Sequence, residues 1–236
     1  MSASETEPLK PGVANVRSMT RLTPFRQNIF LFECFLVLSG YLLVLLSSDG
    51  AVQTCAANAT RSGLLAAYGV VYILRLLFMS HYLLPRELSI EEITVVPLWI
   101  SSILCSYAFP SRASTADFPL SLLVPSLFLY LFGSYLNTYS ELQRKRWKSL
   151  PSSTGRCYTL GLFSFSRNIN YLGDVLLFGG WALATPVWWN VWVPVVMGLS
   201  FHFHHIGDKE KYLAERYGEE WEEYCKGTKS FIPYVC

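Results

Sequence analysis

The feature that most constrains this chain is that its apolar residues come in unbroken blocks, not as stripes. Blocks near 28–47, 62–80, 93–109, 118–138, 171–185 and 187–204 read as membrane spans, because about 20 consecutive apolar residues cross the ~30 Å of hydrocarbon in a bilayer. A soluble amphipathic fold would place its apolar positions at helix or strand periods instead. Composition points the same way: 15% of residues are charged, against about 25% in a typical soluble domain. The expected fold is all-α, a polytopic membrane protein with about six transmembrane helices and a cytosolic C-terminal amphipathic helix. Residues 1–26 would form a cytosolic leader, 27–138 helices one to four, and 139–236 a C-terminal membrane domain that binds a cofactor. The fifth block is short, and Pro186 and Pro194 interrupt the last two; these could form a hairpin that does not fully cross.

Lysine and arginine set the orientation, since they are retained on the cytosolic side of short loops. With the N-terminus inside, the two luminal loops hold only Arg61 and Arg112, whereas Arg86, Arg144, Lys145, Arg146, Lys148, Arg156 and Arg167 fall inside. Both termini are therefore expected in the cytosol, and the sequon Asn58-Ala59-Thr60 falls in a predicted luminal loop. A net charge of +2 is too small to ask for a nucleic acid. Six cysteines without C-x-x-C spacing signal neither zinc nor a redox pair. Arg75 lies inside the second block, where an unpaired charge costs at least ~2.5 kcal/mol at the bilayer centre. It either snorkels to the surface or walls an internal polar cavity.

Polar groups gather against membrane helices in 139–175 and 202–234. Arg144 and Lys148 are one helical turn apart and present two cations on one face, a pair that can hold phosphate or simply mark the cytosolic flank. Downstream come Thr154-Gly155-Arg156, then Arg167-Asn168-Ile169-Asn170-Tyr171-Leu172-Gly173-Asp174, and a tail with Asp208, Glu210, Arg216-Tyr217-Gly218, Trp221, Tyr224 and Ile232-Pro233. In this order the motifs resemble those of the membrane sterol reductases, including the sterol reductase domain of lamin B receptor. The resemblance covers about residues 136–236, with Asn168 in place of a histidine, Phe163 in place of a tryptophan and Leu213 in place of a cysteine.

That resemblance implies NADPH as cofactor, with Arg144 and Lys148 on phosphate, Tyr158 and Phe163 around base or ribose, and Asn170 and Tyr171 near the nicotinamide. Leu213, Tyr217, Tyr224 and either Asp208 or Glu210 would add tail contacts. It also implies a sterol-like membrane lipid as substrate and the endoplasmic reticulum membrane as location. Reduction of a carbon–carbon double bond needs a proton donor opposite the hydride. Tyr171 is the candidate acid, since a phenol with a free pKa of ~10 stays protonated at neutral pH; Asp174, about one turn on, could orient it or donate through water. The plainer reading of the segment is a helix entry capped by Asn170, with Tyr171 in the interfacial aromatic belt and Asp174 near the helix dipole. His202, His204 and His205 lack the further ligands a metal would need, so no metal is assigned. Two alternatives are an S-adenosylmethionine-dependent methyltransferase similar to the isoprenylcysteine carboxyl methyltransferases, which share Arg167, Tyr171, Gly173 and Tyr217-Gly218, and a non-catalytic lipid-binding membrane protein.

Overall fold

The computed structural model describes residues 25–47, 56–84, 86–114 and 118–235; the leader up to residue 24 lies outside them. Helices are α1 (Phe25–Leu46), α2 (Ala56–Phe78), α3 (Ile90–Ala113), α4 (Leu120–Lys148), α5 (Ile169–Ala184), α6 (Trp192–Ser200), α7 (Ile206–Tyr217) and α8 (Glu219–Gly227). A π-helical turn, Met79–Leu83, extends α2, and another, Phe201–His205, joins α6 to α7 in one continuous rod. The first four, α2 together with its π turn, are long and apolar enough to cross a membrane. Where six spans are expected, the described residues hold four such helices. α5 is apolar but only 16 residues long, and α6 runs 9 residues before its π turn.

Hydropathy marks where a block ends, not where its helix ends. α4 runs through Ser140 to Lys148 because Glu, Leu, Gln, Arg and Lys are good helix formers. The sequon lies in the first turns of α2, not in a loop. At the start of α3, Ser89 and Glu92 form a reciprocal capping box: Glu92 N donates to Ser89 Oγ (3.1 Å) and Ser89 N to Glu92 Oε2 (2.8 Å).

One end of the bundle gathers the start of α1, the end of α2 and the starts of α3 and α5 around the end of α4. Gln27 Nε2 donates to Arg86 O (3.2 Å), Arg26 Nη1 to Leu88 O (3.2 Å), and Lys145 Nζ sits 4.1 Å from the Tyr82 ring centroid. This is the basic end foreseen as cytosolic.

The core centres on Trp181, fully buried and ringed by Tyr41, Tyr68, Tyr72, Tyr107, Tyr130 and Phe178. Their hydroxyls tie the helices together. Tyr41 donates to Leu65 O (3.0 Å), Tyr130 to Tyr68 O (2.6 Å), Tyr107 to Phe178 O (3.3 Å), and Trp181 Nε1 to Tyr41 Oη (3.3 Å). α4 and α5 make the most extensive helix contact, and glycine permits it. A Cβ on Gly133 would meet Gly173 O at 2.4 Å, and one on Gly173 would meet Asn137 N at 2.6 Å. This close approach brings Asn137 against the first turns of α5.

Candidate functional site at the basic end

Arg75 neither snorkels nor stands alone. Its Nη2 donates to Asp174 Oδ1 at 2.9 Å, with the two side chains 8% and 18% exposed. Asp174 Oδ2 accepts from Asn137 Nδ2 (2.8 Å), which also reaches Asn170 O (3.0 Å); Asn170 Nδ2 donates to Glu141 Oε1 (3.0 Å), and Glu141 pairs with Arg144. One chain of contacts thus joins α2, α4 and α5. It leaves buried atoms without partners: Arg75 Nε and Nη1, Asn137 Oδ1, Asn170 Oδ1, and the hydroxyls of Ser134 and Thr138. Buried polar atoms are nearly always paired, and these six atoms on α2, α4 and α5 have no hydrogen-bond partner among the described residues.

Beside it, a cavity of about 310 Å³ lies between α1, α2, α3 and α4. Phe30, Leu76, Met79, Leu83, Leu88 and Val96 make it apolar, and Glu141 and Arg144 stand on its wall. Ligand pockets of this kind combine apolar lining with a few polar groups and begin at about 300 Å³.

On the outer side of Arg144 the chain assembles an aromatic and cationic cluster. The Arg144 guanidinium lies 5.7 Å from the Phe163 ring, Tyr158 packs edge-on to Phe163 at 5.8 Å, and Trp147 stands 5.3 Å from Tyr158. Lys148 does not run beside Arg144; its Nζ reaches Tyr217 Oη (3.0 Å) and the carbonyl of Arg156. The Tyr224 hydroxyl donates to Phe163 O, and Leu213 packs with Cys157, Trp221 and Tyr224. Burial, with Glu220 beside it, pushes the Cys157 thiol up to about 11, which removes it as a nucleophile at neutral pH. Burial likewise raises the Tyr224 phenol.

The remaining predicted residues divide. Asn170 is not a cap, since α5 begins at Ile169 and Asn168 holds the cap position without a side-chain cap bond. Tyr171 stacks on Phe201 (4.5 Å, 10° between planes). Asp174 has both oxygens engaged by Arg75 and Asn137, so it does not orient the Tyr171 hydroxyl. Glu210 accepts from Arg167 Nε (3.0 Å) and Nη2 (3.2 Å) and from Ser230 Oγ (2.7 Å), which docks the tail on the start of α5. Asp208 is exposed. Among the described residues no group of three or more His, Cys, Asp or Glu could hold a metal.

Three contributors escaped the sequence. Glu141 joins the cavity wall to Asn170, Asn168 Nδ2 holds Ser230 O (2.9 Å), and Lys209 Nζ donates to Asn168 Oδ1 (2.8 Å) while lying 4.8 Å from the Tyr171 ring centroid. Glu141 and Lys209 looked like ordinary charges on solvated helix turns, and only the partner from a distant helix distinguishes them.

Fold and site together define a multi-pass helical membrane protein with a cationic, aromatic-lined site at one end of its bundle. Residues 93–228 match the family described as "Protein of unknown function (DUF1295)". The match takes in more than half of the chain, which belongs to that family and is sterol reductase-like. It is 30% identical over 158 residues to a Delta(14)-sterol reductase of Candida albicans, covering 63% of this chain and 35% of the relative. It is 28% identical over 127 residues to a Delta(14)-sterol reductase of Schizosaccharomyces pombe (46% and 29%). It is 27% identical over 109 residues to 3-oxo-5-alpha-steroid 4-dehydrogenase 2 of Macaca fascicularis (46% and 41%). In each case the match spans less than half of the relative's length. These relatives lend no support to the methyltransferase or the non-catalytic alternative.

Proposed function

We propose that this protein is an NADPH-dependent reductase of a carbon–carbon double bond in a sterol or similar membrane lipid. The observation that carries this reading is a shared wall. Glu141 and Arg144 border the apolar cavity on one side and, through Asn170 and Phe163, the cationic and aromatic cluster on the other. A lipid and a polar cofactor would meet there.

The residues fit a dinucleotide. Arg144 and Lys148 offer cations for phosphate; Tyr158, Phe163 and Trp147 offer ring faces; and Asn170, bonded through Nδ2 to Glu141, stands at the start of α5. NADPH, when bound, supplies the hydride. The chain's own part is to hold both partners, keep water out and deliver a proton. Tyr171 remains the proposed acid: its hydroxyl makes no hydrogen bond among the described residues, which leaves its proton for substrate, and Phe201 stacks on the ring. The Arg75–Asp174–Asn137 layer sets the position of α5, and with it Tyr171, against α4.

The kinship to sterol reductases supports an endoplasmic reticulum location, while the hydropathy blocks and the bias of lysine and arginine support six spans with both termini cytosolic. A protease-protected C-terminal tag in sealed microsomes would overturn that topology.

The test of function is turnover by detergent-purified protein, following NADPH oxidation beside reduced-lipid product. Tyr171→Phe keeps the ring and removes the hydroxyl. Turnover should fall by about 10²–10⁴-fold while NADPH affinity changes little. Near wild-type turnover would remove Tyr171 as the acid. Absence of NADPH binding by the wild type would overturn the reading itself.

A further inference from the structure

Lys209, on the first turn of α7, is half-buried against the start of α5. Its Nζ donates to Asn168 Oδ1 at 2.8 Å and stands over the ring of Tyr171, 4.8 Å from the centroid. Both partners are neutral, and among the described residues no carboxylate pairs with it. The neighbouring Glu210 is taken by Arg167 and Ser230. The contact is nevertheless firmly framed. Asn168 is fully buried, with Nδ2 donating to Ser230 O (2.9 Å) and its backbone N to Ser166 Oγ (3.2 Å), and the Arg167–Glu210 pair fixes the turn that carries Lys209. Tyr171 is held from the same side of the molecule: Phe201, which stacks on its ring at 4.5 Å, and Lys209 belong to the one rod formed by α6, its π turn and α7. A single element therefore sets both close neighbours of the phenol ring. Burial first, then Arg144, lower the Lys209 ammonium to about 8, so it is charged at neutral pH.

A cation over an aromatic face gains modestly from a neutral phenol. It gains far more from a phenolate, whose charge spreads from the oxygen into the ring, because an opposite charge within about 4–6 Å favours the ionised form. A charge placed in advance where another develops stabilises the transition state more than the ground state. We propose that Lys209 is a positioning residue that acts through Tyr171, its ammonium stabilising the phenolate left when Tyr171 protonates the substrate. The proposal rests on the reductase reading and on Tyr171 as the acid, and it adds a residue that no motif assigned. The proton passes from Tyr171 Oη to one carbon of the double bond, while the other carbon takes the nicotinamide hydride with its two electrons. The phenolate then regains a proton from water, and Lys209 keeps its own. Asn168 suits this role because an amide oxygen holds the lysine without neutralising it, as a carboxylate would.

The experiment is a double-mutant cycle on the full chain in detergent at neutral pH, with NADPH and a Delta(14)-unsaturated sterol as probe. Lys209→Met removes the charge and keeps an unbranched side chain. Its kcat should fall by roughly 10- to 100-fold, below the 10²–10³ that a donor bonded directly to the developing charge is worth, while KM for NADPH and Tm stay near wild type. In the Tyr171→Phe background the same substitution should change kcat by about 2-fold or less, because the group it acts on is gone. Wild-type kcat in Lys209→Met, a loss confined to KM, or an equal loss in both backgrounds overturns the proposal and leaves the reductase reading standing. A second measurement needs neither cofactor nor lipid. With para-fluorophenylalanine incorporated at position 171, the fluorine resonance should differ between the Lys209 and Lys209→Met proteins. An identical resonance means that ring and ammonium do not meet in solution, and overturns the proposal whatever the turnover. A wild type without turnover whose resonance does respond to Lys209 keeps the contact but overturns the reductase reading, and the role of Lys209 falls with it.

Discussion

Two buried regions of the same bundle treat polar atoms in opposite ways. Around Trp181, polar side-chain atoms find partners: the Tyr41, Tyr68, Tyr107 and Tyr130 hydroxyls and the indole N–H are all bonded, and Ser126 Oγ joins Tyr68 Oη (3.0 Å) and Gly180 O (2.7 Å). Around Arg75 and Asn137, three residues, Arg75, Asn137 and Asn170, have one end bonded and another end empty. The first pattern is what a fold needs, because an unmade bond in an apolar medium costs a full desolvation penalty. The second tolerates that penalty at several buried atoms. The two patterns are thus separated along α4 and α5. Ser126, Tyr130 and Gly180 belong to the fully bonded layer, while Asn137, Glu141, Asn170 and Asp174 belong to the layer that holds unpaired atoms.

The largest expected effect tests the packed half. Trp181→Ala removes the ring on which six aromatics converge and should cost about 3–5 kcal/mol from the cavity and lost dispersion contacts, read as loss of folded protein after detergent extraction. A soluble, monodisperse Trp181→Ala would show that the cluster is not the organising core.

Next is the ion pair that bounds the other half. Asp174→Leu strands Arg75 in an apolar setting and should destabilise by on the order of 3 kcal/mol. Adding Arg75→Leu should restore most of that stability, because replacing both partners of a buried pair by apolar groups is often neutral. Turnover should not return with it. If the double variant is no more stable than Asp174→Leu alone, the pair is not the reason Arg75 can be buried.

How much of this was legible in the sequence follows from distance along the chain. The four long spans, the basic end and the family resemblance carried by the segment from Arg144 to Asp174 could be read directly, since each is a local pattern of hydropathy, charge or spacing. Arg75 and Asp174 were both singled out, but their pairing was not, because 99 residues separate them and helix packing alone brings them together. Glu210, offered with Asp208 as an alternative cofactor contact, is held by Arg167 and Ser230, partners that its own stretch of sequence does not reveal. Lys209 was passed over for the converse reason. It sits among charged residues of α7 and looks solvated until the start of α5 is placed against it.

A smaller effect compares two hydroxyls on the same helix. Ser126 and Thr138 both lie on α4; the first is bonded to α2 and α5, the second to nothing. Ser126→Ala leaves the Tyr68 hydroxyl and the Gly180 carbonyl short of a partner and should cost about 1–3 kcal/mol. Thr138→Val keeps the branched shape and deletes only an orphaned, buried oxygen. It should leave stability within about 0.5 kcal/mol of wild type, on the stabilising side, since no bond is lost and one desolvation penalty disappears. Thermal unfolding of the two variants in the same detergent gives the comparison directly. The ligand reverses it: if the unpaired atoms of this layer meet a polar group of cofactor or substrate, Thr138→Val should lose part of the stabilisation that NADPH or lipid confers on wild type, while Ser126→Ala should keep the whole of it. A Thr138→Val protein that is markedly destabilised without ligand would mean that the hydroxyl is satisfied in the folded chain, and the contrast between the two regions would fail at that residue.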